Sequence, residues 1–132
     1  MQTALHQRLA SANARIGAYN GAETVLAFSD PARELHALNS ACGLFDLNWR
    51  AKIVATGKDR VRWLNGMVSN NIRDLAPGRG VYAFVLNPQG NIQGDLYAFN
   101  RGESLILEID RAQPNLLPQL RRYIIMGFLM GH

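Results

Sequence analysis

A single cysteine in 132 residues, Cys42, excludes an internal disulfide and a thiolate metal cage. One lone thiol fits a reducing compartment, and the expected location is the bacterial cytoplasm ahead of the mitochondrial matrix. The three histidines, His6, His36 and His132, lack metal-ligand spacing, so no metal site is expected. The longest near-apolar stretch, Tyr123 to Met130, is far shorter than the roughly 18 residues a membrane-spanning helix needs. No Ser/His/Asp or Cys/His constellation can be assembled, and there is no Walker A loop. Gly78-Arg79-Gly80 begins like a dinucleotide fingerprint, but Ala83 stands where the third glycine belongs and no helix is expected to follow. What remains is a 14.6 kDa chain, 48% hydrophobic and 18% charged, with no repeat or linker. That composition describes one globular domain.

Acidic residues are missing from the first 22 positions, which carry Arg8 and Arg15 and are rich in Ala and Ser. Organelle transit peptides share that bias. However, Leu5, Leu9, Ala12 and Ile16 recur at helical spacing, and a first core helix is the preferred reading. Charge is uneven further on. Residues 50–79 hold seven bases against two acids, whereas the remaining chain holds seven against eight. Twelve of the fourteen bases are Arg, whose planar fork suits carboxylates and phosphates. An anionic partner, RNA or a carboxylate-bearing ligand, is one reading of this segment. A solvated helix and its flanks is the ordinary one.

Local signals divide the chain into mixed elements. Thr24 to Phe28 is a short strand candidate. Asp30 and Pro31 start a helix as N-cap and first helical residue, with Leu35, Leu38 and Ala41 on one face and Gly43 as its C-terminal cap. Cys42, on that apolar face, is expected to be a buried thiol. Leu44–Leu47 and Lys52–Thr56 read as extended, and Lys58–Leu64 as a short helix stopped by Asn65-Gly66, with Val61 and Leu64 inward. The clearest unit is a hairpin: Val81–Leu86, a turn at Asn87-Pro88-Gln89-Gly90, and a return over Asn91–Phe99. Leu105–Ile109 is a further strand, and Asp110 is placed to cap a last helix with Leu117 and Leu120 on its buried side. The class is therefore α+β, a mixed or antiparallel sheet with packed helices.

Asp95 stands out within the hairpin. Alternation places Ile92, Gly94, Leu96 and Ala98 on one face of the return strand and Gln93, Asp95, Tyr97 and Phe99 on the other. With a two-residue loop, Tyr82 would lie directly opposite Asp95; a longer loop or a bulge would shift that register. Gly94 would let a backbone or a ligand approach closely. An acid flanked by Tyr82, Tyr97 and Phe99 suits a flat heteroaromatic ligand whose N–H groups need an acceptor. The alternative is an acid on the solvated face of an edge hairpin.

An ordered set of motifs then resembles one superfamily. Gly43-Leu44-Phe45-Asp46-Leu47 is followed by Gly57 to Gly66, by Asn70-Asn71-Ile72, and by Leu75-Ala76-Pro77-Gly78-Arg79-Gly80-Val81-Tyr82-Ala83-Phe84. Leu86-Asn87-Pro88-Gln89-Gly90-Asn91-Ile92-Gln93-Gly94-Asp95-Leu96 completes the set. From about Ala37 to Leu107 the chain resembles the folate-binding T-protein superfamily, which contains the aminomethyltransferase of the glycine cleavage system and the YgfZ proteins. The resemblance implies a partial T-protein-like fold with tetrahydrofolate or another reduced folate as ligand. It matches Asp95 to the folate-site aspartate, the one residue here with an implied catalytic part, and Tyr82 to a tyrosine lining the same pocket.

Asn48-Trp49 stands where the transferase usually has a Ser-His pair, and Gly94-Asp95 where it has paired aspartates. Asn71 replaces an acid. These departures favour the YgfZ branch, linked to iron–sulfur maintenance and tRNA modification. A fragment of the aminomethyltransferase is the second reading, and a small basic RNA-binding domain the third. The chain is shorter than family members and lacks the YgfZ cysteine motif, so it reads as an N-terminal portion. Its apolar segment 123–130 is expected to self-associate if left uncovered.

Overall fold

Asn13, with φ at +57°, ends the first helix of the computed structural model, which describes residues 4–113, 115–122 and 130–131. The chain divides into two compact units, residues 1–50 and 51–132. The α+β class holds in both, and every strand pair whose register is defined is antiparallel.

In the first unit, helix α1 (Ala4–Ser11) gives way after Asn13 to strand β1 (Arg15–Tyr19). Asn is one of the few residues that tolerate this left-handed conformation. Ile16, assigned by spacing to the helix, therefore lies on a strand. Asn20 and Gly21, with φ of +47° and +72°, turn the chain into β2 (Ala22–Ala27). Two central residues with positive φ twist a tight hairpin in the sense its strands require.

Helix α2 (Pro31–Ser40) starts as its sequence predicts, with the Arg33 N–H donating to the Asp30 side chain at 3.3 Å. Glu34 adds a second cap, its Oε1 accepting from the N–H groups of Phe28 at 2.6 Å and Ser29 at 2.7 Å. Gly43 is not the cap: the helix closes at Ala41, whose N–H donates to the Ala37 carbonyl. Leu35 and Leu38, expected inward, are 60% and 47% exposed, and the Cys42 thiol is exposed rather than buried. Leu44–Leu47 is irregular rather than a strand. The physical reason is how little apolar surface the unit buries: among the described residues its buried ones are Ala22, Thr24, Ala27 and Asn48, and a two-stranded sheet offers little surface for a helix to bury against.

The second unit is built around a sheet ordered β4-β5-β6-β3-β7. Its strands are β3 (Arg50–Ala55), β4 (Gly80–Leu86), β5 (Ile92–Asn100), β6 (Leu105–Asp110) and β7 (Met130–Gly131), with helices α3 (Arg60–Asn65) and α4 (Leu116–Arg122). Alternate strand residues face inward. Val85, Leu96 and Leu107 are fully buried and share one core with Trp63 and Leu64 of α3 and Leu116 and Leu120 of α4. Burying each such aliphatic side chain contributes on the order of 1.5–3 kcal/mol. Trp63 joins Leu64 in the core, whereas Val61 is half-buried.

Asp110 does not cap the last helix. It turns the chain instead, its Oδ1 accepting from the Ala112 N–H at 2.8 Å and its carbonyl from the Gln113 N–H at 3.1 Å. Helix α4 begins six residues later at Leu116, burying Leu116 and Leu120 while Leu117 is half-buried. Of the apolar tail, residues 123–129 lie outside the described residues; Met130 and Gly131 pair with Ala55 and Val54. Among the described residues no helix is long and apolar enough to cross a membrane.

Candidate functional site

The loop between β4 and β5 sets the geometry of the candidate site. Asn87 pairs with Asn91, its N–H donating to the Asn91 carbonyl at 3.0 Å, which leaves three residues in the loop rather than two. The Asn87 side chain holds that loop by accepting from the N–H groups of Gln89 at 3.1 Å and Asn91 at 2.8 Å. Gly90, at φ +84°, takes the left-handed position that a three-residue hairpin loop needs. A bulge between Val85 and Leu86 in the pairing then adds one more residue on β5. The two single-residue shifts sum to two, so from Gly94 onward each β5 side chain keeps its face while changing its partner, whereas Ile92, expected on the face of Leu96 and Ala98, pairs with Leu86 and is 60% exposed. Tyr82 directly opposes Tyr97, and Phe84 opposes Asp95. The expected Tyr82–Asp95 opposition is thus replaced by a diagonal relation.

The diagonal is short enough for contact. The Tyr82 hydroxyl donates to Asp95 Oδ2 at 2.8 Å. All four named residues lie on the outward face: Tyr82, Tyr97 and Phe99 are 41%, 43% and 37% exposed, and Asp95 is half-buried among them. Tyr97 lies 5.0 Å from Tyr82 between ring centroids, and 6.4 Å from Phe99 in a near-parallel stack. Phe84, which sequence reasoning left out of the site, extends this wall edge-on to Tyr82 at 5.5 Å. Its alternation with Tyr82 along β4 was the available signal.

Neighbouring segments fix both strands. Along the outer edge of β4, Ser69 Oγ accepts from the Phe84 N–H at 2.9 Å, and Asn70 donates through Nδ2 to the Tyr82 carbonyl at 3.1 Å. Along β5, the side-chain amide of Gln113 pairs with the Asp95 backbone: the Asp95 N–H donates to Oε1 at 2.9 Å, and Nε2 donates to the Asp95 carbonyl at 3.2 Å. Gly94 makes room for this amide and not for a ligand, because a Cβ there would collide with Gln113 Oε1. Nothing local in the sequence marks Gln113, which lies 18 residues from its partner.

Other features expected to matter are occupied structurally. Arg60 turns inward, donating to the carbonyls of Gly57 at 2.9 Å and Gly102 at 2.5 Å. Lys52 pairs with Glu108 at 3.2 Å. Two bases of the 50–79 segment are thereby engaged within the fold. The first unit carries an open groove of about 450 Å³ that Leu35, Leu38, Phe45 and Trp49 help to line. Its two carboxylates are already used: Glu34 caps α2, and Asp46 accepts from Thr24 Oγ1 at 3.2 Å. In the same unit, Asn48 Nδ2 donates to the Glu23 carbonyl at 2.5 Å, and Trp49 packs edge-on to Tyr19 at 4.8 Å.

Comparison with known proteins gives one consistent result. The model of the family described as the GCVT N-terminal domain matches residues 5–123. An aminomethyltransferase from a Nostoc species is 34% identical over 102 residues, covering 77% of this chain and 27% of that protein. The aminomethyltransferase of Bacillus subtilis is 30% identical over 94 residues, covering 71% and 26%. The crystal structure of glycine cleavage system aminomethyltransferase T from Bartonella henselae superposes with a TM-score of 0.75 at 21% identity, over 96% of this chain and 36% of that one. The chain spans about a quarter of the length of the curated relatives it matches. These relatives carry the name of the second reading from sequence; none of them supports the iron–sulfur, tRNA-modification or RNA-binding readings. The chain belongs to the T-protein superfamily, matching its GCVT N-terminal domain.

Proposed function

We propose that the outward face of the β4–β5 hairpin binds a reduced folate, and that the chain acts as the N-terminal part of an aminomethyltransferase-type protein that transfers a one-carbon unit to tetrahydrofolate. The observation that carries this reading is the Tyr82–Asp95 hydrogen bond set in an aromatic wall. The residues present suit the ligand class. A reduced pterin is flat, offers ring N–H donors, and needs aromatic surface and a fixed acceptor. Tyr82, Phe84, Tyr97 and Phe99 supply the surface. Asp95 supplies the acceptor: Oδ2 is engaged by Tyr82, while Oδ1 is left for a ligand N–H.

Tetrahydrofolate, as substrate, brings the nitrogen that receives the one-carbon unit. The part of this chain is electrostatic and positional. A carboxylate held beside that nitrogen orients the ring and favours positive charge developing on it during transfer. Because its partners are already in place before the ligand arrives, little reorganisation is needed at the moment of reaction. Titration of the chain with 5-formyl-tetrahydrofolate, followed by calorimetry, tests the reading: saturable one-to-one binding supports it, and an absence of binding by folded protein removes it.

A further inference from the structure

We propose that Gln113 is a positioning residue for Asp95, standing in for a missing strand partner at the point where the carboxylate must be held. This rests on the folate reading and deepens it. Between β5 and β6 the ladder joins Asn100 with Leu105, Phe99 with Ile106, Ala98 with Leu107 and Tyr97 with Glu108. Continuing that register would bring residue 110 opposite Asp95. The ladder with β5 stops at Tyr97 and Glu108, and Asp110, the last residue of β6, folds into a turn with Ala112 and Gln113.

Without a substitute, the Asp95 N–H and carbonyl would lack strand pairing on that side, beside the half-buried carboxylate. Gln113 supplies the missing donor and acceptor. Its amide has the same N–H and C=O pair as a backbone peptide, and it makes both bonds to residue 95. Gly94 completes the device, since the bare Cα is what admits the amide. Leu116 Cδ1 lies 3.3 Å from that same Cβ position, so the first turn of α4 packs beside the amide. Gln113 thus ties Asp95 to the α4 end of the core while Tyr82 fixes the carboxylate itself.

A merely structural role for Gln113 and a positioning role predict different couplings. Gln113→Met keeps the volume beside Leu116 and removes both hydrogen bonds. Asp95→Ala removes the group to be positioned. We expect Gln113→Met to weaken calorimetric binding of 5-formyl-tetrahydrofolate roughly three- to ten-fold when Asp95 is present, and to add almost nothing in the Asp95→Ala background. Amide hydrogen exchange at residue 95 should accelerate in the unliganded Gln113→Met chain. Equal losses in both backgrounds, or unchanged affinity in Gln113→Met beside a clear loss in Asp95→Ala, overturn the positioning role and leave the folate reading standing. Unchanged affinity in Asp95→Ala, or no binding by the wild-type chain, overturns the folate reading and the positioning role with it. If Gln113→Met does not fold, Gln113→Asn, one methylene too short to make both bonds, replaces it in the same cycle. Loss of affinity confined to the Asp95 background then supports the positioning role, and equal losses in both backgrounds overturn it.

Discussion

The Tyr82 hydroxyl reaches Asp95 Oδ2 at 2.8 Å along a diagonal of the β4–β5 ladder, while Tyr97 faces Tyr82 and Phe84 faces Asp95. A diagonal contact of this kind lies within reach of an aromatic side chain but not of a short one. Tyr82→Phe therefore isolates the hydroxyl. The ring stays on the wall, and the loss is one hydrogen bond worth about 0.5–1.5 kcal/mol at a partly exposed site. Reduced-folate affinity is expected to fall roughly two- to ten-fold, with circular dichroism unchanged. Unaltered affinity would show that the hydroxyl does not set the carboxylate for the ligand.

Gly94 and Gln113 should be coupled in stability. Gly94→Ala drives the Gln113 amide off the Asp95 backbone and presses a methyl towards Leu116. The expected cost is about 1–3 kcal/mol from lost hydrogen bonds and crowding. In a Gln113→Ala background the same substitution should cost much less. Denaturant unfolding of the four proteins measures this, and additive costs would contradict the assigned collision.

The two faces of the β4–β5 hairpin should respond differently to truncation. Leu96 is fully buried, and Leu96→Ala is expected to cost about 2–5 kcal/mol. Phe84→Ser and Phe99→Ser, on the exposed face, should cost only about 0.5–1.5 kcal/mol of aromatic packing. They should nevertheless weaken ligand binding. Thermal melts beside folate titration separate the effects, and strong destabilisation by either Phe substitution would mean that its ring serves packing rather than recognition.

In the first unit, Asp30→Ala removes the side chain that accepts from the Arg33 N–H. A lost N-cap costs about 0.5–2 kcal/mol. Glu34 still holds the N–H groups of Phe28 and Ser29, so fraying should be confined to the first turn of α2. Amide exchange at Arg33 should accelerate while exchange near Ala37 stays close to wild type.

Legibility in the sequence followed the range of the interactions. The Asp30-Pro31 start of α2, the Asn87 to Gly90 turn and the alternation of β5 from Gly94 to Phe99 depend on residues a few positions apart, and all are found where the pattern places them, while Ile92 lies before the bulge and turns outward. The Asn20-Gly21 turn is equally local but goes unread in the sequence, where the spacing of Leu5, Leu9, Ala12 and Ile16 points to a helix. The outward position of Asp95 followed from strand period alone. Its register did not, because loop length and one bulge each shift the pairing by one residue, and only together do they return Asp95 to the face of Tyr82. Burial of Leu35, Leu38 and Cys42 could not be read from α2 itself, since exposure depends on how much apolar surface the rest of the unit offers. Gln113 was illegible for the plainest reason: its role consists of contacts made across 18 residues of chain.

The carboxylate of Asp95 is the central element of this account, and Asp95→Asn tests it most directly. The substitution preserves shape and the capacity to accept from Tyr82 while removing the charge. Calorimetric titration of both proteins with 5-formyl-tetrahydrofolate should show affinity falling roughly ten- to a hundred-fold, the loss of a charged hydrogen bond worth about 1.5–3 kcal/mol, with an unchanged melting temperature. Equal affinity in the folded Asp95→Asn protein would contradict the account.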